Sequence, residues 1–133
     1  MNLNQITVPS KNVDEAITFY KTLGLRLIVE ALPHYARFEC PDGDATFSIH
    51  YVEELDTNST GTYIYFESSS LDTLVDELSA RGVMFDELPE DKRWLWREAR
   101  LRDPDGNVIV LYHAGKNRKN PPWRIEEGIE NHK

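Results

Sequence analysis

Four histidines, one cysteine and a set of rings interleaved with charge are the residues of this chain with chemistry to offer. The rings come in two short runs, Tyr63-Ile64-Tyr65-Phe66-Glu67 and Trp94-Leu95-Trp96-Arg97-Glu98-Ala99-Arg100. At the two-residue period of a strand, Tyr63, Tyr65 and Glu67 share one face, as do Trp94, Trp96, Glu98 and Arg100. Such a face could stack on a planar or cationic group for about 0.5–2 kcal/mol per ring, while Glu67 or Glu98 pairs with an amine. Arg100, beside Glu98, competes for that pairing. Buried between subunits, the same rings would make an interface instead. His34 reads as a solvated turn residue, His113 as packing or surface at a strand end, and His132 carries no signal. Cys40 stands before a turn with no basic neighbour apart from distant Arg37, so it reads as a small strand residue rather than a nucleophile. The 7 glycines sit at turns and helix ends, leaving no loop to cradle a phosphate. A Ser-His-Asp arrangement is not recoverable from sequence, because the fold places its members.

The elements that must position these residues repeat. Residues 3–53 read as strand, helix and three strands, and residues 61–113 read the same way. In the first unit, Leu3–Val8 alternates and stops at Pro9, and Asn12 with Glu15 opens a helix as a capping box. Val13, Ala16, Ile17, Tyr20 and Leu23 form its apolar stripe, and Gly24 ends it. Strands follow at Leu25–Ala31 and Tyr35–Cys40. Pro41-Asp42-Gly43 signals a hairpin, and Ala45–Glu53 returns. In the second unit the spacing predicts a strand at 62–67 and a helix capped by Ser69 and Asp72, with Leu71, Leu74, Val75 and Leu78 as its stripe. Gly82 stops that helix. A strand Val83–Leu88, a solvated acidic turn over Glu87–Asp91, a strand Arg93–Arg102, a turn at Asp103-Pro104-Asp105-Gly106 and a strand Asn107–His113 complete the unit. Asp56–Gly61 reads as a polar linker.

Each unit must bury one sheet face under its helix. Phe47, Ile49 and Tyr51, Ile6 and Val8, Ile64 and Phe66, Ile109 and Leu111, and Ala99 and Leu101 are the expected inward sets. The opposite faces then collect Gln5, Thr7, Ser48, His50, Tyr63, Tyr65, Glu67, Trp94, Trp96, Glu98, Arg100, Val110 and Tyr112. Such aromatics among polar groups suit a ligand cleft better than a plain solvated sheet. A single domain over 1–115 is expected, followed by a tail, 116–133, in which Pro121-Pro122 blocks regular structure. Trp123 and Ile125 there either hang loosely or anchor the tail over the cleft or a partner.

At 133 residues the chain is long enough to bury roughly two-thirds of its unfolded surface without disulfides or metal. Lys plus Arg is 15 and Asp plus Glu is 23, a net charge of −8. That surface argues against nucleic acid and anionic lipid as partners, and favours neutral or cationic small ligands. No apolar run approaches the ~18 residues of a membrane helix, the first ten residues lack a signal peptide's regions, and one cysteine suits a reducing compartment. A cytoplasmic domain is expected.

Phe19-Tyr20 with Leu23-Gly24, then Leu78 with Arg81-Gly82, then Asp103-Pro104-Asp105-Gly106-Asn107 ahead of a hydrophobic strand, fall in order within the duplicated βαβββ pattern. In this the chain resembles the vicinal oxygen chelate superfamily of glyoxalases, bleomycin-resistance proteins and ring-cleaving dioxygenases, over residues 3–113. The resemblance implies an α+β fold of two βαβββ modules, 3–53 and 61–113, whose curved mixed sheets enclose a cleft commonly completed across a homodimer. It also implies a divalent metal held from four strands. Carried over singly, those positions fall on Gln5, Ser48, Tyr63 and Val110. Gln can ligate, but Ser and an unionised Tyr are poor ligands for such an ion and Val cannot ligate. A displaced site using Gln5, His50 and Glu67 is the alternative.

The expectation is therefore a protein without metal or other cofactor that sequesters an aromatic or cationic molecule, resembling the bleomycin-resistance branch. Its site would comprise Gln5, Ser48, His50, Tyr63, Tyr65, Glu67, Trp94, Trp96, Glu98, Arg100, Val110 and Tyr112. Two alternatives stay open. One is a lyase, isomerase or dioxygenase, metal-dependent or using Glu67, Glu98 or His50 for acid–base work. The other is an interaction module whose rings lie between subunits.

Overall fold

A computed structural model describes residues 1–55 and 62–126. The expected linker, Asp56–Gly61, and His132 lie outside the described residues. The first unit runs β1 (Gln5–Ser10), α1 (Val13–Leu23), β2 (Arg26–Ala31), β3 (Tyr35–Glu39) and β4 (Thr46–Tyr51). The second runs β5 (Tyr63–Glu67), α2 (Leu71–Ala80), β6 (Glu87–Asp91), β7 (Arg97–Arg102) and β8 (Val108–His113). Each makes a four-stranded mixed sheet, ordered β1-β4-β3-β2 and β5-β8-β7-β6. The first strand pairs with the last in parallel, and the other neighbours are antiparallel.

Local chemistry explains both the agreements and the shifts. Asn12 caps α1, its Oδ1 accepting from the Glu15 N–H at 3.1 Å, and Gly24 closes the helix at φ 108°. The capping box expected at Ser69 and Asp72 does not form. Ser70 is the cap residue and makes no side-chain cap bond. Asp72 is drawn away by Arg97, whose Nε and Nη2 reach its two oxygens at 2.8 and 3.0 Å. Strand β1 runs on through Pro9 to Ser10 because it is an edge strand, where a residue lacking N–H costs no ladder bond on its open side. The acidic run Glu87–Asp91, expected as a solvated turn, is edge strand β6. Its carboxylates are balanced across the edge: Glu87 pairs with Lys92, and Asp91 with Arg97 at 3.0 Å. The strand expected at Arg93–Arg102 begins only at Arg97. Arg93–Trp96 belong to a tight connection with Leu95 at φ 69°.

The helix-side faces of the two sheets meet each other. Phe47 of β4 and Phe66 of β5 lie 6.0 Å apart, and one continuous core runs from Val8, Ile17, Phe38 and Ile49 through Ile64, Val75, Leu101 and Ile109. Tyr51, expected in this set, is 43% exposed at the end of β4. At the centre of the junction Tyr20 is fully buried and donates to Asp103 Oδ2 at 2.5 Å. Burial, then the Asp103 charge, push the phenol's pKa far above its ordinary value. The opposite faces of the two sheets lie outside this shared core.

Candidate functional site

The outward face of the second sheet is built from three strands. Cross-strand register puts Glu67, Tyr112 and Glu98 in one row, and Tyr65, Val110 and Arg100 in the next. Val110 is completely buried on this face under rings. Trp96 stacks on Tyr112 with centroids 4.6 Å apart and planes 17° apart. Tyr65 meets both edge-on, at 5.9 and 5.6 Å. Trp94 and Trp96 lie before β7, yet both reach this face: Trp94 Nε1 donates to Glu98 Oε2 at 2.7 Å, and Trp96 Nε1 donates to the Asn117 carbonyl at 3.4 Å. The Arg100 guanidinium lies 5.3 Å from the Tyr63 ring centre.

Two groups here are left incomplete. Glu98 is only 2% exposed, and its Oε1 has no hydrogen-bond partner. The nearest cation, Arg100 Nη2, stands at 3.8 Å, outside hydrogen-bond distance, while the buried Arg100 Nε is also unpartnered. A buried charged group lacking a partner costs about 1–3 kcal/mol or more, so native proteins rarely leave one without reason.

Glu67, by contrast, is committed. Its Oε2 accepts from the N–H groups of Ala114 and Gly115 at 2.8 and 2.9 Å, with His113 at 3.7 Å and Arg118 at 4.0 Å. Burial pushes this carboxyl up, but the two N–H donors and neighbouring cations outweigh it and hold the pKa below the usual carboxylate value. Its work is to pin the 3-10 turn Gly115–Asn117 against the aromatic cluster. Trp123 and Ile125 are exposed, at 57% and 73%, and do not cover the face.

Gln5, Ser48 and His50 are on the outward face of the other sheet, so within one chain they do not join the rings. Ser48 is fully buried and its Oγ lies 2.7 Å from Tyr35 Oη, which also accepts from Arg37 Nε at 2.9 Å. Burial raises the Tyr35 pKa, but the Ser48 and Arg37 contacts outweigh that and lower it. Tyr35 and Arg37 share this face with Ser48 and are absent from the residues expected on it. The signal was there: Ala36 and Phe38 are the inward pair of β3, which leaves Tyr35 and Arg37 outward. Gln5 Oε1 accepts from Thr46 Oγ1 at 2.8 Å, and His50 is exposed.

The donor set implied for a metal does not fit. Val110 offers no ligand atom and is buried, the Ser48 hydroxyl is tied to Tyr35, and Gln5 is tied to Thr46. Among the described residues no three His, Cys, Asp or Glu side chains cluster to hold an ion. The displaced set of Gln5, His50 and Glu67 is split between two different sheets, and Glu67 is already held by the Ala114 and Gly115 N–H groups.

Residues 2–111 match the Glyoxalase/Bleomycin resistance protein/Dioxygenase superfamily, and the chain belongs to it. Among relatives, it is 28% identical over 127 residues to the uncharacterised protein YraH of Bacillus subtilis (strain 168), covering 84% of this chain and 98% of that protein. Its fold is that of a lactoylglutathione lyase from Agrobacterium tumefaciens (TM-score 0.70, 16% identity, covering 84% of this chain and 92% of that one). It is equally that of a bleomycin-binding protein complexed with bleomycin (TM-score 0.68, 20% identity, covering 85% and 98%). No helix among the described residues is long and apolar enough to cross a membrane.

Proposed function

We propose that this chain binds a small aromatic or cationic molecule on the outward face of its second sheet, without a metal. The reading is carried by one observation: a buried carboxylate, Glu98, keeps an unpartnered oxygen beneath stacked rings. A ligand N–H or cation would complete it, while Tyr63, Tyr65, Trp94, Trp96, Arg100 and Tyr112 supply flat surfaces and a second polar anchor. Trp94 covers the carboxylate from a turn and is 38% exposed, so a ligand gains access by displacing an indole rather than a strand. We place Gln5, Ser48 and His50 in the same cleft by a homodimer, the first-sheet face of one copy closing over the second-sheet face of the other. In this scheme Val110 is the floor and Glu67 the brace of the tail. The acid–base alternative is weaker, because Glu67 is held ionised with its oxygen occupied by two N–H donors.

Titration with bleomycin, the molecule bound by one structural relative, and with N-methylquinolinium as a simple aromatic cation tests this through tryptophan fluorescence. Saturable quenching that weakens about tenfold or more in Glu98→Gln is expected, the size of a lost charge-assisted bond. Elemental analysis of untagged protein is the counter-test: near-stoichiometric zinc, nickel, manganese or iron would overturn the metal-free reading.

A further inference from the structure

The two units are related by an internal repeat, so the junction between them is made twice, and the two versions differ. Tyr20 and Leu78 are counterparts, each standing eight residues after its helix cap, Asn12 or Ser70. Cys40 and Asp103 are counterparts too. Each precedes a Pro-Asp-Gly turn, and each donates its backbone N–H to the residue that closes the turn, Ala45 or Asn107.

In one junction these residues stitch the units together. Tyr20 Oη donates to Asp103 Oδ2 at 2.5 Å, Asn107 Nδ2 to the Pro9 carbonyl at 3.2 Å, and the Lys11 N–H to Asp105 Oδ1 at 2.8 Å. In the other junction Leu78 stands for the phenol, Cys40 for the carboxylate and Ala45 for the amide. None of the three can make those bonds. Among the described residues no hydrogen bond joins the Cys40–Ala45 turn to β5 or α2. A groove of about 630 Å³ opens there instead, floored by Leu25, Phe66, Leu74, Leu78 and Leu111, with Cys40 in its wall. Asp42 stands at its rim as an acceptor, beside Glu67, whose Oε2 is taken by the tail N–H groups and whose Oε1 faces Arg118 at 4.0 Å.

We propose that this open junction is a second binding site, for a single-ring aromatic alcohol or amine, which supplies the ring and polar hydrogen that Tyr20 supplies in the closed one. The molecule itself shows what fits: a phenol, ring among apolar side chains and hydroxyl on a carboxylate. An apolar floor with carboxylates at the mouth favours a neutral donor-bearing ring over an anion. The groove adjoins the ring-lined sheet face, sharing Tyr65 and Glu67 of β5 at its edge, but Glu98 and the tryptophans do not line it.

Cys40, the one cysteine of the chain, reports on occupancy. Its burial raises the thiol's pKa, so alkylation by iodoacetamide is followed in mildly alkaline buffer with p-cresol as the probe. The expected result is saturable protection, about tenfold slower alkylation at ten times the Kd of p-cresol. Leu78→Tyr, which rebuilds the closed junction, and Ala45→Phe, an exposed change at the mouth, should each abolish the effect of p-cresol. Glu98→Gln should leave it intact, which separates this site from the sheet face. Absence of protection at millimolar p-cresol, or protection that survives both groove variants, overturns the proposal. So does shielding of Cys40 that grows with protein concentration alone, since a second copy would then be the occupant.

Discussion

Individual residues here divide into those whose bonds are complete and those left wanting, and the division sets what each substitution does. Tyr20 and Asp103 are complete: Asp103 accepts from the phenol, from the backbone N–H groups of Asp105 and Asn107, and from the Asn107 side-chain amide. Tyr20→Phe removes one charge-assisted bond and should destabilise the fold by about 1.5–3 kcal/mol in urea unfolding. The pH sign follows from the raised phenol. A group whose folded pKa exceeds its unfolded value of about 10 stabilises fully below that pH and loses the contribution as pH rises beyond it. Tyr20→Phe should therefore flatten the loss of stability in alkaline buffer. Glu67 has the opposite sign, its folded pKa being depressed. Its hold on Ala114 and Gly115 should be full above the unfolded value of about 4.3 and fade as pH falls below it. Amide exchange at Ala114 and Gly115 measures this, and Glu67→Gln should speed that exchange at neutral pH.

At the scale of elements, the two helices look alike in sequence and end differently. Asn12→Ala should cost about 1 kcal/mol in urea unfolding, since it removes a cap bond that exists, whereas Ser70→Ala should cost only a few tenths. The capping box at Ser69 and Asp72 was misread because the sequence does not reveal that Arg97, 25 residues on, competes for Asp72. The same blindness to partners explains β6: five residues rich in acid read as a turn until Lys92 and Arg97 are seen to balance them. Alternation, which needs no partner, was legible nearly everywhere. It separated Ile109 and Leu111 from Val110 and Tyr112, and Ile64 and Phe66 from Tyr63 and Tyr65. It placed Trp94 and Trp96 on the right face although the strand starts after them. It did not show that Ser48 is locked by Tyr35, or that Val110 is sealed under rings, because those depend on which neighbours arrive from other strands.

For the whole molecule, the decisive fact is that the helix sides of both sheets meet in one core. A single chain thus presents two outward faces, and the site residues anticipated as one set are divided between them. A homodimer that joins unlike faces would reunite them. Sedimentation equilibrium should show a dimer, and Tyr35→Ala or Trp96→Ala should each weaken it, since each face would meet its opposite twice. The claim on which the account most depends is that a ligand lies against the second-sheet rings above Glu98. The chain has three tryptophans, so an NMR spectrum of the indole N–H groups gives one signal apiece for Trp94, Trp96 and Trp123. On titration with N-methylquinolinium, the Trp94 and Trp96 signals should shift saturably, Trp94 most because its N–H leaves Glu98. Binding that leaves both of those signals unmoved would contradict the account.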